Sequence, residues 1–160
     1  MKHQRLWMKI SVVALLATAV SLPSLHAQNN DDQGGASGAS YLTTVKTSAG
    51  AFASRGVITL HADHTMSVID SGQGGPAFLF SSQLGSWKPA ANGGIVARTI
   101  DFNFPNAAVA RLDYTISFSQ DQNQVTGTIT LTAFPIQGNP LDGGGTLVGT
   151  FTFTGQLIKP

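Results

Sequence analysis

Residues 125–133 read Val-Thr-Gly-Thr-Ile-Thr-Leu-Thr-Ala, and residues 150–157 read Thr-Phe-Thr-Phe-Thr-Gly-Gln-Leu. In both stretches an apolar or small residue alternates with threonine over most of the length. A two-residue period predicts a β-strand with one buried and one solvent-facing side, because successive side chains of a strand point to opposite faces. The threonines are then expected on the outer wall of a sheet, with the intervening residues on its inner face.

The composition of the chain supports the same interpretation. All eight acidic residues are aspartate, so the chain lacks glutamate, which favours helices. Glycine is frequent, at 18 residues, and cysteine is absent. A domain without disulfides must be stabilised by core packing and by complete pairing of its strands. We therefore predict a single all-β domain.

The first 27 residues have the layout of a secretory signal peptide. Basic residues precede an apolar run over residues 10–20, and Ala27 is a small residue suited to cleavage. The apolar run is shorter than the roughly 20 residues that span a bilayer. We expect residues 1–27 to be removed on export, which predicts a secreted or periplasmic protein without stable membrane insertion.

The charge of the mature chain argues against an anionic partner. Cleavage after Ala27 removes Lys2, Arg5 and Lys9 but no acidic residue, so six basic residues remain against eight acidic ones, a net charge of −2. Because no basic cluster remains, nucleic acid is not expected as a partner. The sequence also carries no motif for a bound cofactor, and none is expected.

The remaining chain divides into a leader and a folded domain. Residues 28–40 contain no large apolar side chain and are expected to be a flexible leader, followed by a β-barrel domain over residues 41–160. About eight meandering strands with one apolar face favour a single antiparallel up-and-down barrel, because closure removes exposed edges. A two-sheet β-sandwich is the alternative. The expected strands are residues 41–48, 54–62, 65–70, 84–89, 94–104, 108–118, 124–134 and 147–158, with residues 77–80 as a ninth strand or part of a loop.

Side-chain parity predicts the register of the strands on either side of Pro105. If both apolar faces point inward, Phe104 lies opposite Ala108 across a loop of three residues. Arg98 then points into the barrel opposite Tyr114. A guanidinium that faces a core needs a partner, because burial of an unpaired charge is costly.

Two further pairings follow from the same parity. Asp101 is expected opposite Arg111 on the outer face, as a cross-strand ion pair that fixes register. In the next hairpin, Phe118 is expected opposite Val125, with residues 119–124 as the loop.

The inward residues define a candidate ligand site. Arg98 and Tyr114 are the candidate polar anchor, because a guanidinium can bind a carboxylate or carbonyl group inside an apolar cavity. The alternative for Arg98 is a structural hydrogen-bond network, and the alternative for Trp87 is a core residue that plugs one barrel end. The candidate ligand-binding residues are Arg98, Tyr114, Trp87, Phe102, Phe118, Phe151 and Phe153.

Residues 61–64, His-Ala-Asp-His, are the one place where metal-type ligands cluster. His61, Asp63 and His64 are therefore weak candidates for a metal site. The segment also lies between two expected strands, where aspartate and a residue that tolerates the left-handed conformation favour a tight turn. The turn is the preferred interpretation, and no metal is expected.

Short motifs in this order resemble a known group of barrels. Thr59-Leu60-His61-Ala62-Asp63-His64-Thr65, followed by Leu84-Gly85-Ser86-Trp87, is similar to uncharacterised secreted bacterial proteins with a lipocalin-like, or calycin-like, barrel. The resemblance covers residues 54–158 and implies an eight-stranded barrel. His64 stands where that pattern usually has glycine. Trp87 lies in mid-chain, whereas true lipocalins have their Gly-x-Trp motif on the first strand, so their functional residues are not transferred. Allene oxide cyclase and dirigent proteins are similar barrels and imply that such a cavity can guide a cyclisation.

Three functions are consistent with these observations. The leading hypothesis is an exported, non-enzymatic barrel that holds a small, mostly apolar molecule in its interior. The second is an isomerase or cyclase in which Tyr114 donates or accepts a proton and Arg98 polarises a carbonyl group. The third is a filled barrel that serves as a surface or adhesion module, since an eight-stranded barrel has room for little beyond its own side chains.

Overall fold

The eight strands follow one another around a closed antiparallel barrel. The computed structural model describes residues 38–74, 79–104 and 106–160. Each strand pairs with the next along the chain, and the last pairs with the first, which confirms the predicted up-and-down barrel and excludes the sandwich. The strands are β1 Ala39–Thr47, β2 Phe52–Leu60, β3 Thr65–Asp70, β4 Gln83–Pro89, β5 Ile95–Asn103, β6 Ala108–Phe118, β7 Gln124–Pro135 and β8 Thr146–Leu157.

The described residues start within the predicted leader. β1 begins at Ala39, two residues before the expected start of the barrel. The predicted signal peptide and residues 28–37 lie outside the described residues. In the described ranges no helix is long and apolar enough to cross a membrane.

The described residues just before β4, from residue 79 on, extend the sheet beside β5 by an isolated bridge. Phe80 makes an isolated antiparallel bridge with Asn103, and the Ser81 N–H donates to the Phe102 carbonyl oxygen at 3.0 Å. Residues 75–78 are not described. Of the expected ninth strand over 77–80, the described part is therefore a single bridge along the edge of β5.

The threonine-rich hairpin has the predicted register. Phe118 lies opposite Val125, as expected. The alternating threonines face outward and stand opposite one another between β7 and β8, for example Thr128 opposite Thr152. Val125 and Phe153, from the inner faces of the same strands, are almost completely buried.

The predicted register of β5 against β6 is wrong by one residue. Asn103, not Phe104, lies opposite Ala108, because the connecting turn contains four residues, 104–107, in place of the expected three. The extra residue inverts β5, so its odd-numbered side chains point inward. Phe104 is consequently 64% exposed.

One end of the barrel is filled by aromatic side chains, and we call it the closed end. The turn over residues 61–64, the β4–β5 turn and the β6–β7 turn all lie at this end. Trp87 is buried, its indole N–H donates to the His61 carbonyl oxygen at 3.2 Å, and its ring stacks against His64 at a centroid distance of 4.4 Å. Tyr41 is also buried and donates its hydroxyl to the Gln122 carbonyl oxygen at 3.1 Å. Trp87 therefore acts as the plug considered from sequence.

The opposite end, which we call the open end, carries the longer connections. It is formed by the β1–β2 turn, the segment between β3 and β4, the β5–β6 turn and the β7–β8 loop. The β7–β8 loop folds back over the outside of the barrel, where Arg111 donates to the carbonyl oxygens of Pro140 and Asp142 at 2.9 and 3.1 Å. Because this loop lies outside the barrel, the interior of the open end is lined by the inward side chains of the strands.

Candidate functional site

A cavity of about 460 Å³ lies inside the barrel at the open end. This volume is in the range of about 300–1,000 Å³ that is usual for small-molecule sites. The exposed residues Ala53 and Val148 are part of its lining, so the cavity reaches solvent. The interior is therefore not filled along its whole length.

Small residues create the space in this cavity. Ala110 of β6 lies opposite Ala133 of β7 on one side and opposite Asp101 of β5 on the other. Methyl side chains at two neighbouring inward positions leave room that larger residues would fill. The apolar part of the wall is formed by Val45, Ile58, Val68, Leu112, Ile129, Leu131 and Phe151.

A hydrogen-bonded group of polar residues forms the inner limit of the cavity. The Tyr114 hydroxyl donates to Gln83 Oε1 at 2.5 Å, and the Thr99 hydroxyl donates to the same oxygen at 3.0 Å. All three side chains are buried. Burial raises the pKa of Tyr114, so its hydroxyl stays protonated at neutral pH. Tyr114 thus contributes a fixed donor whose partner is already present.

Asp101 and Asn103 line the cavity, and each has one buried side-chain oxygen without a hydrogen-bond partner among the described residues. Asp101 is only 5% exposed, and its Oδ1 atom is buried without a hydrogen-bond partner among the described residues. The Oδ1 atom of Asn103, two residues along the same face of β5, is also buried and has no partner in the described part of the chain. Buried acceptors without donors are uncommon in folded proteins and mark a position where a ligand or water supplies the missing bond.

Asp70, at the end of β3, adds a second carboxylate to the lining. Its two oxygens are satisfied, since Oδ2 accepts from the Ser54 hydroxyl at 2.7 Å and Oδ1 accepts from the Gly72 N–H at 2.8 Å. Burial, and secondly the negative charge of Asp70, raise the pKa of Asp101 to about 6. No Lys, Arg or His side chain occurs among the described residues that line the cavity. The polar part of the site is therefore acidic.

The predicted ligand-binding residues are divided among three locations. Tyr114 and Phe151 line the cavity, as their parity predicts. Trp87, Phe118 and Phe153 belong to the core at the closed end, where Phe118 packs on Tyr41 and Phe153 packs edge-on against Tyr114. The last two, Arg98 and Phe102, lie on the outside of the barrel, and Phe102 is 49% exposed.

The predicted inward position of Arg98 is wrong because β5 is inverted. Arg98 lies opposite Asp113, and its Nε donates to Asp113 Oδ1 at 2.6 Å on the outer surface. Asp113 also accepts from Arg111 Nε at 3.0 Å, so the expected Asp101–Arg111 pair is replaced by an outer Arg98–Asp113–Arg111 group. Tyr114 and Arg98 therefore lie on opposite sides of the barrel wall and cannot act on one interior ligand.

The His61–His64 segment forms the tight turn that was the preferred interpretation. Asp63 Oδ1 accepts from the Thr65 N–H at 2.9 Å and from its hydroxyl at 2.6 Å. These hydrogen bonds lower the pKa of Asp63. His64 has the positive φ of 66° that such a turn requires, and His61 contacts the Ser67 hydroxyl at 3.2 Å. Across the described ranges there is no group of three or more His, Cys, Asp or Glu side chains that could hold a metal ion.

The sequence interpretation missed the acidic residues of the cavity. Asp101 and Asn103 are polar residues next to the large apolar residues Phe102 and Phe104, so the alternation favours the phenylalanines for the inner face. One available signal is the small or polar character of every odd-numbered residue from 97 to 103. Such residues fit an interior whose closed end is already filled by aromatic rings.

Comparison of the chain with protein-family models, with curated proteins and with solved structures found no match. The class that the fold defines is therefore a small closed eight-stranded antiparallel β-barrel with an interior cavity. Because a fold alone does not determine a function, the function of the barrel depends on the chemistry of that cavity.

Proposed function

We propose that the protein binds a small, mostly apolar molecule in the cavity at the open end of the barrel. The observation that carries this proposal is the cavity of about 460 Å³, which joins an apolar wall to unsatisfied polar atoms. Ligand sites typically combine a largely apolar lining with a few convergent polar groups that fix orientation. Here the apolar wall would take the body of the ligand, and Asp101 and Asn103 would take its polar group.

The rigidity of the surrounding barrel supports binding to a preformed site. Every strand that lines the cavity is hydrogen-bonded on both sides, and the closed end is packed with buried aromatic residues. A preformed cavity avoids the ordering cost that a flexible site has on binding. The ligand would enter past Ala53 and Val148, the exposed part of the lining.

Filling the cavity tests this proposal. Ala110→Phe places a ring in the space between Ala133 and Asp101, so we expect it to weaken the binding of decanol by at least roughly tenfold, as measured by isothermal titration calorimetry. Ser117→Phe is the matched control, because Ser117 lies on the same strand but is exposed on the outer face. The control should bind decanol as the parent does.

The contradictory result is equally specific. If the parent and both variants bind decanol with the same affinity, the apolar molecule binds elsewhere and the interior site is wrong. If the folded parent binds neither decanol nor any co-purified compound in native mass spectrometry, the proposal fails as a whole.

The other two functions have less support in the geometry. The isomerase or cyclase requires Arg98 and Tyr114 on one substrate, whereas Arg98 forms a surface ion pair with Asp113. A surface or adhesion role has some support from exposed apolar side chains on the outside of β3, β4 and β5, among them Ile69 and Leu84, which are 62% and 66% exposed. The cavity favours ligand binding over both.

The relationship of the protein to other barrel proteins and its location in the cell are also proposals. The closed eight-stranded antiparallel barrel agrees with a lipocalin-like architecture, and the motifs at residues 59–65 and 84–87 support a relationship to secreted bacterial lipocalin-like proteins. Export of the barrel to the periplasm or the medium is supported by the signal-peptide layout of residues 1–27. A small diffusible ligand, and neither nucleic acid nor a membrane, is the partner we propose.

A further inference from the structure

We infer that the cavity selects molecules whose polar group is a protonated amine, held by Asp101 and Asn103 with Asp70 nearby. This inference rests on the proposed interior binding site and adds the chemical class of its ligand. Two buried oxygens, Asp101 Oδ1 and Asn103 Oδ1, lack a donor among the described residues. Both are acceptors on side chains that line the same cavity, so the group they require is a donor.

The electrostatics of the cavity favour a donor that is also a cation. Two carboxyl groups, Asp70 from β3 and Asp101 from β5, line the site without a basic side chain among the described lining residues. The other titratable group that faces them is Tyr114 from β6, which is protonated and already donates to Gln83. An ammonium group would reduce the repulsion between the carboxylates, whereas a carboxylate ligand would increase it.

The number of hydrogen-bond donors on an ammonium group also fits the acceptors of the cavity. A primary ammonium group has three N–H donors and no acceptor, as in lysine. One donor can meet Asp101 and another Asn103, which leaves the third for water at the mouth of the cavity. The apolar wall, which includes Ile58 and Leu131, would cover the hydrocarbon part of the ligand.

The test compares three compounds that share one hydrocarbon chain and differ only in the polar group: decylamine, decanol and decanoate. At about pH 7.5 we expect the full-length mature protein to bind decylamine about 10- to 100-fold more tightly than decanol, the range expected of a hydrogen bond between charged groups, and to bind decanoate most weakly. Asp101→Asn should remove the preference for decylamine over decanol, because the amide has no negative charge to pair with the ammonium group. Asn103→Leu should reduce the preference in the same direction.

A surface variant separates this effect from the overall negative charge of the protein. Asp142 is exposed on the β7–β8 loop near the open end, and Asp142→Asn removes the same charge as Asp101→Asn. We expect Asp142→Asn to keep the full preference for decylamine. A preference that falls equally in both variants would show that the net charge causes it and would overturn the inference.

A pH series adds a second, independent readout. Decylamine affinity should fall more steeply than decanol affinity as the pH is lowered through about 6, because protonation of Asp101 removes the charge that pairs with the ammonium group. If decanol or decanoate binds as tightly as decylamine, the amine inference is wrong and the interior site stands. If none of the three binds, the proposed function itself fails. If calcium chloride raises the melting temperature and decylamine does not, the acidic group is a cation site and the inference is overturned.

Discussion

Trp87→Ala is expected to destabilise the barrel by about 3–5 kcal/mol, the usual cost of truncating a large buried aromatic residue. Trp87 is buried at the closed end, bonded to the His61 carbonyl oxygen and stacked on His64. Its removal leaves a void and breaks one of the two hydrogen bonds to the His61 carbonyl oxygen, which also accepts from the His64 N–H at 3.1 Å. The total stability of a domain is typically only about 5–15 kcal/mol. Urea unfolding followed by far-ultraviolet circular dichroism measures the loss.

Leu84→Ala is the matched control for this prediction. Leu84 lies on the same strand but on the outer face, where 66% of it is exposed, so its truncation should change stability by no more than about 0.5 kcal/mol. Equal costs for the two variants would mean that the closed end is not packed by Trp87. A loss below about 1 kcal/mol in Trp87→Ala would contradict the plug directly.

The second large effect is a loss of stability as the pH rises above about 4, caused by Asp101. Burial and the charge of Asp70 raise the pKa of Asp101 from its ordinary 3.8 to about 6. Between these two values the folded protein retains a proton that the unfolded chain releases, so the contribution of this group to stability is complete below the lower value and is lost as the pH rises through the upper one. At about 1.4 kcal/mol per pKa unit, the effect amounts to at most about 3 kcal/mol.

Asp101→Asn should remove this dependence. Urea unfolding at about pH 4.5 and about pH 7.5 is expected to show a fall in stability for the parent and a much smaller fall for the variant, which should be the more stable of the two at the higher pH. Asp121 does not interfere, because its hydrogen bonds with Ser119 and Asn123 lower its pKa to about 2. The contribution of Asp121 to stability is lost only as the pH falls below the ordinary aspartate range. This pH range is lower than the one in which Asp101 changes stability. Parallel curves for parent and variant would contradict the buried, unpaired state of Asp101.

The sequence predicts the inner face of a strand correctly where the apolar and larger side chains all lie on one face and the polar ones on the other. In β7 and β8 threonine alternates with apolar residues, so only one face suits the interior, and the predicted pairing of Phe118 with Val125 is correct. Tyr114 is inward for the same reason. The closed barrel follows from the number and order of the strands, since closure of eight meandering strands leaves no free edge.

β5 shows why the candidate site could not be read in the same way. Both of its faces carry apolar residues, Ile95 on the inner face and Phe102 on the outer, so polarity does not decide between them. The choice is made by one additional residue in the β5–β6 turn, and the length of a turn is not encoded in the alternation. The inversion moves Arg98 out and brings Asp101 in, which changes the predicted ligand group from an acceptor to a donor.

The location of a bound apolar molecule tests the central claim most directly. Intermolecular nuclear Overhauser effects between decanol and the methyl groups of the protein report contacts of a few ångströms. We expect them from Ile58, Val68 and Leu131 on the cavity wall, and none from Ile69 and Leu84 on the outer face. Contacts confined to Ile69 and Leu84 would place the molecule on the outside of the barrel and would contradict an interior binding site.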